Sequence, residues 1–333
     1  MTELMAHYTV LSDQNLNKTF WYALQKCNLQ NKTVLCLGKS ALLSIFAVKL
    51  GAKQVYLCNK EKNVELFIEK TLSLKERKKI TFLNKQIEKC VIKDFKGKKV
   101  DIILSNWMSI CLFHERKFEA VIYARDNFLK KTGILMPSKA TLCVGLVENN
   151  EKREDNDEDL EFWKTNGSNH DQNFKQLYNI DISTIHDHAV KEFYTHIISQ
   201  RIEMKHFISN IVESTFDLYT LSKVDLRNIK ISNQEFQITR SSLLAGICYY
   251  FKVEFKDFEK KHLCTLSTRP GTYNHWKHGI AYFNKLISID IDTIATLDIN
   301  FKVYDKSSYI IKNTLSIDNN RYTKSCVTQF EFI

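Results

Sequence analysis

The chain has 333 residues, of which 44% are hydrophobic and 12% aromatic, and its net charge is +10. This composition excludes a disordered chain and a collagen-like or low-complexity repeat, and the length suggests two domains. No apolar run approaches the roughly 20 residues of a membrane-spanning helix, so we expect no membrane contact.

Short apolar strands alternate with helices in the first half of the chain. Strands are predicted at 33–38, 55–58, 80–83 and 100–105, and helices at 40–50, 61–73 and 115–130. Strands separated by helices are typical of a parallel sheet covered by helices on both faces. We therefore predict a doubly wound, Rossmann-type domain.

The sequence changes character after Met136-Pro137, where β-branched and aromatic residues alternate with polar ones. Strands are predicted at 140–147, 216–221, 235–239, 245–254, 287–291, 296–303 and 325–333. Such a series predicts a mostly antiparallel barrel or sandwich. Residues 148–161 hold eight acids against two basic residues, which favours an exposed loop.

A helical insertion interrupts this β region at 161–200. Phe174, Leu177 and Tyr178 fall at positions i, i+3 and i+4, so they lie on one face of a helix. This apolar stripe has no evident place in a β domain. It either covers an end of the barrel or binds another subunit, and the sequence alone leaves both interpretations open.

The turn after the first strand is where a doubly wound sheet binds a nucleotide. Here the turn contains one glycine, Gly38, and the second strand ends in Asn59 rather than in an acid. An amide lacks the charge-assisted hydrogen bond that a carboxylate gives to ribose hydroxyls. The pattern therefore favours a Rossmann-type sheet that is kept as a scaffold over an intact cofactor site.

Positive charge is concentrated in residues 75–99, where ten Lys and Arg face three acids. This stretch could contact RNA, although a solvated surface explains it as well, because exposed aromatic residues are not interleaved with the basic ones.

The nine cysteines include no CxxC pair and lie mostly among apolar neighbours. They predict buried reduced thiols, no metal site, and a cytoplasmic or nuclear protein.

Several motifs together identify a family resemblance. The segment from Asp101 to Glu115, DIILSNWMSICLFHE, is similar to the "double-E" loop of type I protein arginine methyltransferases. Tyr273 to Lys277 resembles the T-H-W loop of that family, and Val34 to Tyr56 resembles its cofactor region. The resemblance covers nearly the whole chain.

This resemblance implies an architecture and an oligomeric surface. It implies a Rossmann-type domain for S-adenosylmethionine at 1–137, a β-barrel domain at 138–333, a dimerisation arm at 162–198, and a cis peptide bond before Pro137. The expected anchors of the arm are Trp163, Phe174, Leu177, Tyr178, Ile180, Ile182 and Ile185.

Residues that carry the chemistry in the family are altered here. The resemblance places Asn106 and Glu115 at the two acid positions, and it places His275 and Trp276 in the T-H-W loop. It also implies that His275 pairs with Asp13. The positions that would bind the cofactor are Leu16, Gly38, Asn59 and Glu88, of which Leu16 replaces an arginine and Asn59 an acid.

These departures lead to the expectation of a catalytically inactive paralogue that resembles the trypanosomatid arginine methyltransferase prozyme. Such a subunit assembles with a catalytic type I paralogue and activates it, supporting asymmetric dimethylation of arginine in proteins. The chain itself is then expected not to be an enzyme and to bind no cofactor, with S-adenosylmethionine bound by the partner. Two alternatives remain: a divergent active methyltransferase that uses Glu115, and an RNA-associated adaptor.

Overall fold

The computed structural model describes residues 3–38, 41–59, 62–167, 173–317 and 320–328. Within these ranges no helix is both long and apolar enough to span a bilayer. The helices are α1 (Glu3–Ser12), α2 (Gln14–Lys26), α3 (Ala41–Lys49), α4 (Lys62–Thr71), α5 (Leu74–Arg77), α6 (Phe118–Phe128), α7 (Glu151–Lys164), α8 (Phe174–Tyr178) and α9 (His186–Thr195).

Strands make up most of the second half. They are β1 (Thr33–Leu37), β2 (Gln54–Cys58), β3 (Ile80–Leu83), β4 (Val100–Ser105), β5 (Leu129–Met136), β6 (Lys139–Glu148), β7 (Ile198–Gln200), β8 (Val212–Asp217), β9 (Asn228–Gln237), β10 (Ser242–Lys256), β11 (His262–Ser267), β12 (His278–Ile289), β13 (Ile294–Val303), β14 (Tyr309–Ile317) and β15 (Asn320–Val327).

Two compact units divide the chain. The first contains 1–142, 214–227 and 251–276, and the second contains 143–213, 228–250 and 277–333. The domain boundaries predicted from the resemblance stay a prediction.

A five-stranded parallel sheet in the order β3-β2-β1-β4-β5 forms the core of the first unit. Four consecutive residues of β1, Val34 to Leu37, are buried, as expected of a strand with helices on both faces. The predicted alternation of strands and helices is confirmed, and β5 continues the sheet up to the Met136–Pro137 peptide, which is cis.

Antiparallel strands build the rest of the fold. One sheet has the order β7-β12-β10-β6-β8, with β11 also paired to β10, and a second has the order β15-β14-β13-β9. The strands of the second sheet alternate between buried and exposed residues. The predicted class, a Rossmann-type α/β domain followed by an antiparallel β-barrel with a helical insertion, is confirmed.

Strand β8 ends earlier than predicted. We expected a strand at 216–221, but β8 stops at Asp217, whose carboxylate accepts a hydrogen bond from the backbone N–H of Tyr219 at 2.8 Å. This Asx turn gives the backbone an alternative to the strand ladder. The last part of the predicted strand 325–333 lies outside the described residues.

The acidic stretch 148–161 was predicted as a loop, and this is wrong, because most of it forms helix α7. Asn150 begins the helix by accepting a hydrogen bond from the N–H of Arg153 at 3.3 Å. Arg153 is only 4% exposed, and its hydrogen bond with Tyr194 anchors the helix within the second unit. Charge density alone therefore gave the wrong prediction, because one buried arginine anchors the segment.

All nine cysteines are free, and only Cys264 is not fully buried. Burial raises the pKa of several thiols, to about 12 for Cys27 and Cys58 and to about 11 for Cys264. At neutral pH these thiols are protonated and weakly nucleophilic.

Candidate functional site

The loop that follows strand β4 is bent into an unusual shape. Cys111, Leu112, Glu115 and Arg116 all have positive φ angles, between 52° and 69°. Left-handed backbone is uncommon for residues other than glycine, and it costs free energy at each position. Such strain persists only where the surrounding structure holds the loop in place.

Aromatic packing supplies that support. Trp107 stacks on Phe118, the first residue of α6, with ring centroids 4.4 Å apart. Phe113 contacts both Phe118 and Phe216, the latter edge to face at 5.1 Å. The two ends of the loop are thus fixed to a buried cluster, and the residues between them have defined positions.

Glu115, the acid retained from the predicted pair, is exposed at the end of this loop. Its Oε2 lies 2.6 Å from the ammonium of Lys117, a partner that the sequence analysis did not predict. Arg116 lies between these two residues in the sequence, and its Nε donates a hydrogen bond to Oε1 of Glu119 at 2.8 Å. An exposed ion pair is worth at most about 1 kcal/mol, so another cation can displace Lys117 from Glu115.

Asn106 begins the same loop at the position expected for the other acid. Its Oδ1 is buried and has no hydrogen-bond partner among the described residues. A buried acceptor without a donor is unfavourable by about 1–3 kcal/mol, and a ligand donor would remove this cost. One loop therefore carries an exposed carboxylate and, at its beginning, a buried neutral acceptor, the two kinds of group that accept hydrogen bonds from a planar cation with several N–H donors.

The carboxyl edge of the parallel sheet holds two of the predicted cofactor positions. Asn59, after β2, donates from Nδ2 to the carbonyl of Gly38 at 3.2 Å. Gly38 has φ +95°, and a Cβ placed there would meet no described atom within 4 Å, so the described surroundings leave its backbone open. Glu88 is exposed, in the short 3₁₀ helix Ile87–Lys89. The rest of the turn, residues 39–40, lies outside the described residues.

Leu16, where the resemblance implied an arginine, is buried on helix α2. It contributes packing at that position and no charge. The described residues at this edge therefore fit a nucleoside held by an amide and by open backbone, without the carboxylate that would grip its ribose.

His275 and Asp13 form the predicted pair within the first unit. Asp13 Oδ2 accepts hydrogen bonds from His275 Nδ1 at 2.7 Å and from the backbone N–H of His275 at 2.8 Å. Its Oδ1 caps helix α2 by accepting from the N–H of Leu16. Burial alone would raise the pKa of Asp13, but these hydrogen bonds outweigh it and lower the pKa. Trp276 is buried against Phe251.

Asp13→Asn is expected to lower the free energy of unfolding by about 2 kcal/mol at pH 6, because the amide replaces an ionised acceptor of three hydrogen bonds. A carboxyl whose pKa is lowered by folding stabilises the protein above its ordinary pKa of 3.8. This contribution begins to decline as the pH falls below that value and is lost once the pH passes below the lower pKa of the folded state. Urea unfolding of both proteins at pH 6 and pH 3.5 measures the effect; a difference that did not shrink at pH 3.5 would contradict it.

The basic stretch 75–99 is partly neutralised by its own neighbours. Lys85 pairs with Asp94 at 2.7 Å, and Arg77 pairs with Glu69 at 3.4 Å. The possible contact of this stretch with RNA stays a prediction.

The arm residues are exposed on short helices. Phe174 is 38% and Tyr178 is 63% exposed, and their rings lie 5.5 Å apart on α8. Leu177, Ile180 and Ile185 are also exposed. Trp163 and Ile182 are half-buried. In the described chain these apolar side chains form a surface that we call the arm face, defined by Phe174, Leu177, Tyr178, Ile180 and Ile185.

Comparison with known proteins yields a consistent group of relatives. A family described as "Arginine methyltransferase oligomerization subdomain" matches residues 138–316. Protein arginine N-methyltransferase 6 of Xenopus laevis is 31% identical over 84% of this chain and 77% of its own length. Protein arginine methyltransferase 10 of Arabidopsis thaliana has a solved structure with a TM-score of 0.81, at 21% identity and 98% coverage of both chains.

A second solved structure is the Trypanosoma brucei PRMT1 enzyme–prozyme heterotetrameric complex with AdoHcy. Its TM-score is 0.78 at 18% identity, and the match covers 97% of this chain and 98% of the other. At this identity the similarity shows a shared fold.

The expectation that this chain is not an enzyme on its own is wrong. The relatives that cover most of it are named as protein arginine N-methyltransferases, at up to 31% identity, and this points to an enzyme rather than to a non-enzymatic subunit. The presence of Asn59 and Asn106 in place of acids does not by itself indicate a non-enzymatic protein. The loss of an individual charge lowers the affinity for a ligand without changing the class of reaction.

Proposed function

Because the chain belongs to the protein arginine methyltransferase family, we propose that it methylates arginine residues in proteins as a subunit of an oligomer. The observation that carries this proposal is the strained loop after β4, which carries Glu115 together with Asn106, whose buried Oδ1 has no hydrogen-bond partner among the described residues. A substrate guanidinium would replace Lys117 at Glu115 and donate a second hydrogen bond to Asn106. Glu115 then bears the whole negative charge that orients the substrate.

S-adenosylmethionine, when bound, supplies the methyl group for this reaction. Gly38 and Asn59 are the described residues that would hold it, through open backbone and amide hydrogen bonds. The expectation from the sequence was that this chain binds none. The proposal revises that expectation to weak binding, since Asn59 offers no charge.

Asn59→Asp is expected to tighten S-adenosylmethionine binding about tenfold, because a charge-assisted hydrogen bond to a ribose hydroxyl is stronger than a neutral one by roughly 1.4 kcal/mol or more. Isothermal titration calorimetry measures the dissociation constants. Asn127→Asp, at an exposed position of α6, introduces the same charge elsewhere and serves as the control. Equal affinity of all three proteins would contradict a role of Asn59 in holding the ribose.

We also propose that the oligomer contains a second member of the family, which this chain activates. Two observations support a partner with a complete pair of acids: the exposed arm face, and the replacement of one acid by Asn106. The family subdomain that covers 138–316 is described as one of oligomerization. Activation would follow if the arm face covers and orders the partner's helices.

The test is methyl transfer from labelled S-adenosylmethionine to an Arg/Gly-rich peptide, with the same peptide carrying lysine for arginine as the control. The chain is assayed alone and after co-expression with a catalytic paralogue. We expect slow transfer alone, asymmetric dimethylarginine as the product, and a rate in the mixed oligomer above the sum of the separate rates. No arginine-specific transfer in either sample would overturn the proposed activity, and strictly additive rates would overturn the activation.

A further inference from the structure

A cavity of about 460 Å³ lies in the second unit, lined by residues of helix α9 and of strands β12 and β15. This volume is within the range of small-molecule sites. Five of the residues that line it, all on α9, fall within the arm predicted at 162–198, but none is a predicted anchor of the arm and none belongs to the loop that carries Glu115. The cavity is therefore independent of the proposed methyl-transfer site.

Lys324, on β15, is the unusual residue of its wall. Although it is charged, it is only 7% exposed. Its Nζ donates to Oδ1 of Asn284 at 2.7 Å and lies 5.0 Å from the ring centroid of Tyr194. Within the described ranges, no carboxylate lies within 4 Å of this ammonium group. A buried cation without a counter-charge is unfavourable, and burial accordingly lowers the pKa of Lys324.

A second buried cation also contacts Tyr194. Arg153, which is 4% exposed, donates from Nη2 to the hydroxyl of Tyr194 at 2.8 Å. Its nearest carboxylate among the described side chains is that of Asp157, at 3.7 Å and half exposed, and its Nε has no hydrogen-bond partner there. Among the described side chains, Asp157 is thus the one acid within 4 Å of either buried cation.

The rest of the wall adds a second cation. Lys191 of α9 lines the cavity from an exposed position. Thr323 and Ser325, the neighbours of Lys324 on β15, also line it, but they are exposed and their side chains lie on the opposite face of the strand from that of Lys324. Asp187, the acid at the rim, is fully exposed and lies 3.2 Å from His186, so it does not neutralise Lys324.

We propose that this cavity binds a small molecule that bears a phosphate ester. Its phosphate would pair with the ammonium groups of Lys324 and Lys191. A phosphate has enough oxygens for both cations, and charge-assisted hydrogen bonds are the strong ones. The phosphate itself fills only part of the cavity, and the remaining volume accommodates a sugar-sized body. The occupant supplies the counter-charge that Lys324 lacks.

The test is thermal unfolding of the full chain with increasing inorganic phosphate or ribose 5-phosphate, against chloride at equal ionic strength. We expect a saturable rise of the unfolding midpoint, with ribose 5-phosphate acting at lower concentration. Lys324→Met is expected to weaken binding at least tenfold, whereas Lys230→Met, at an exposed position of β9, leaves it unchanged. Lys191→Met tests the same site from the rim and should weaken binding severalfold.

A rise that does not saturate, or that is the same in Lys324→Met and Lys230→Met, would overturn the site. Should Lys324→Met not fold, unchanged binding by Lys191→Met would overturn it. Equal potency of inorganic phosphate and ribose 5-phosphate would overturn the assignment to a phosphate ester.

Discussion

Replacing Phe174 and Tyr178 together with alanine is expected to weaken self-association or assembly with a paralogue about a thousandfold. Both aromatic rings project from α8 on the arm face and lie side by side. Central aromatic anchors of an interface typically contribute 2 kcal/mol or more each, and two of them give about 4 kcal/mol. The dissociation constant, measured by sedimentation equilibrium, should rise accordingly.

Tyr304→Ala is the matched control, because Tyr304 is also an exposed aromatic residue of the second unit but lies outside the arm face. It should associate like the unmodified chain. Methylation by the oligomer is expected to fall in parallel with assembly for the double variant only. If the double variant assembled normally, the arm face would not be the interface, although the methyl-transfer proposal would stand.

Glu115→Gln is expected to lower kcat/KM for an arginine peptide at least about thirtyfold. The amide is nearly isosteric, so the strained loop keeps its shape, but no negative charge remains to balance the guanidinium. Loss of the charged partner from a desolvated pair costs about 2–5 kcal/mol, which corresponds to a factor of thirty to several thousand. The assay uses the purified oligomer and varied peptide concentration.

Two further variants check the interpretation. Glu203→Gln makes the same charge change at an exposed residue that pairs with Lys205, and it should leave kcat/KM unchanged. Lys117→Met removes the internal competitor for Glu115 and is expected to lower KM by a small factor, since the exposed pair is weak. Retention of more than half of the activity by Glu115→Gln would show that another group binds the guanidinium.

Much of the fold was predictable because its strands are continuous apolar runs. The strands from Thr33 to Leu37 and from Val100 to Ser105 contain few polar residues, and a parallel sheet needs such strands. The pairing of Asp13 with His275 followed from the family motif, and the structure confirms it. The position of Glu115 was also predicted, but its pairing with Lys117 depends on a loop conformation that no periodicity encodes.

The elements that escaped prediction are those where one tertiary contact overrides the local pattern. Helix α7 has the composition of a loop, and only the buried Arg153 explains its position. Lys324 occupies a strand position where a charged side chain normally indicates an exposed face, yet it is enclosed. Neither residue could be identified from the sequence because both depend on Tyr194, which is remote from them along the chain.

The buried, protonated thiols can be used to measure local opening of the fold, because an alkylating reagent modifies a buried thiol only when it becomes exposed. A pulse of an alkylating reagent reaches Cys27, Cys36 and Cys58 only when the first unit opens, and it reaches Cys143 and Cys248 only when the second does. Mass spectrometry of the labelled peptides would therefore give an opening free energy for each unit in one experiment. Asp13→Asn should accelerate labelling in the first set alone, and ribose 5-phosphate should slow it in the second.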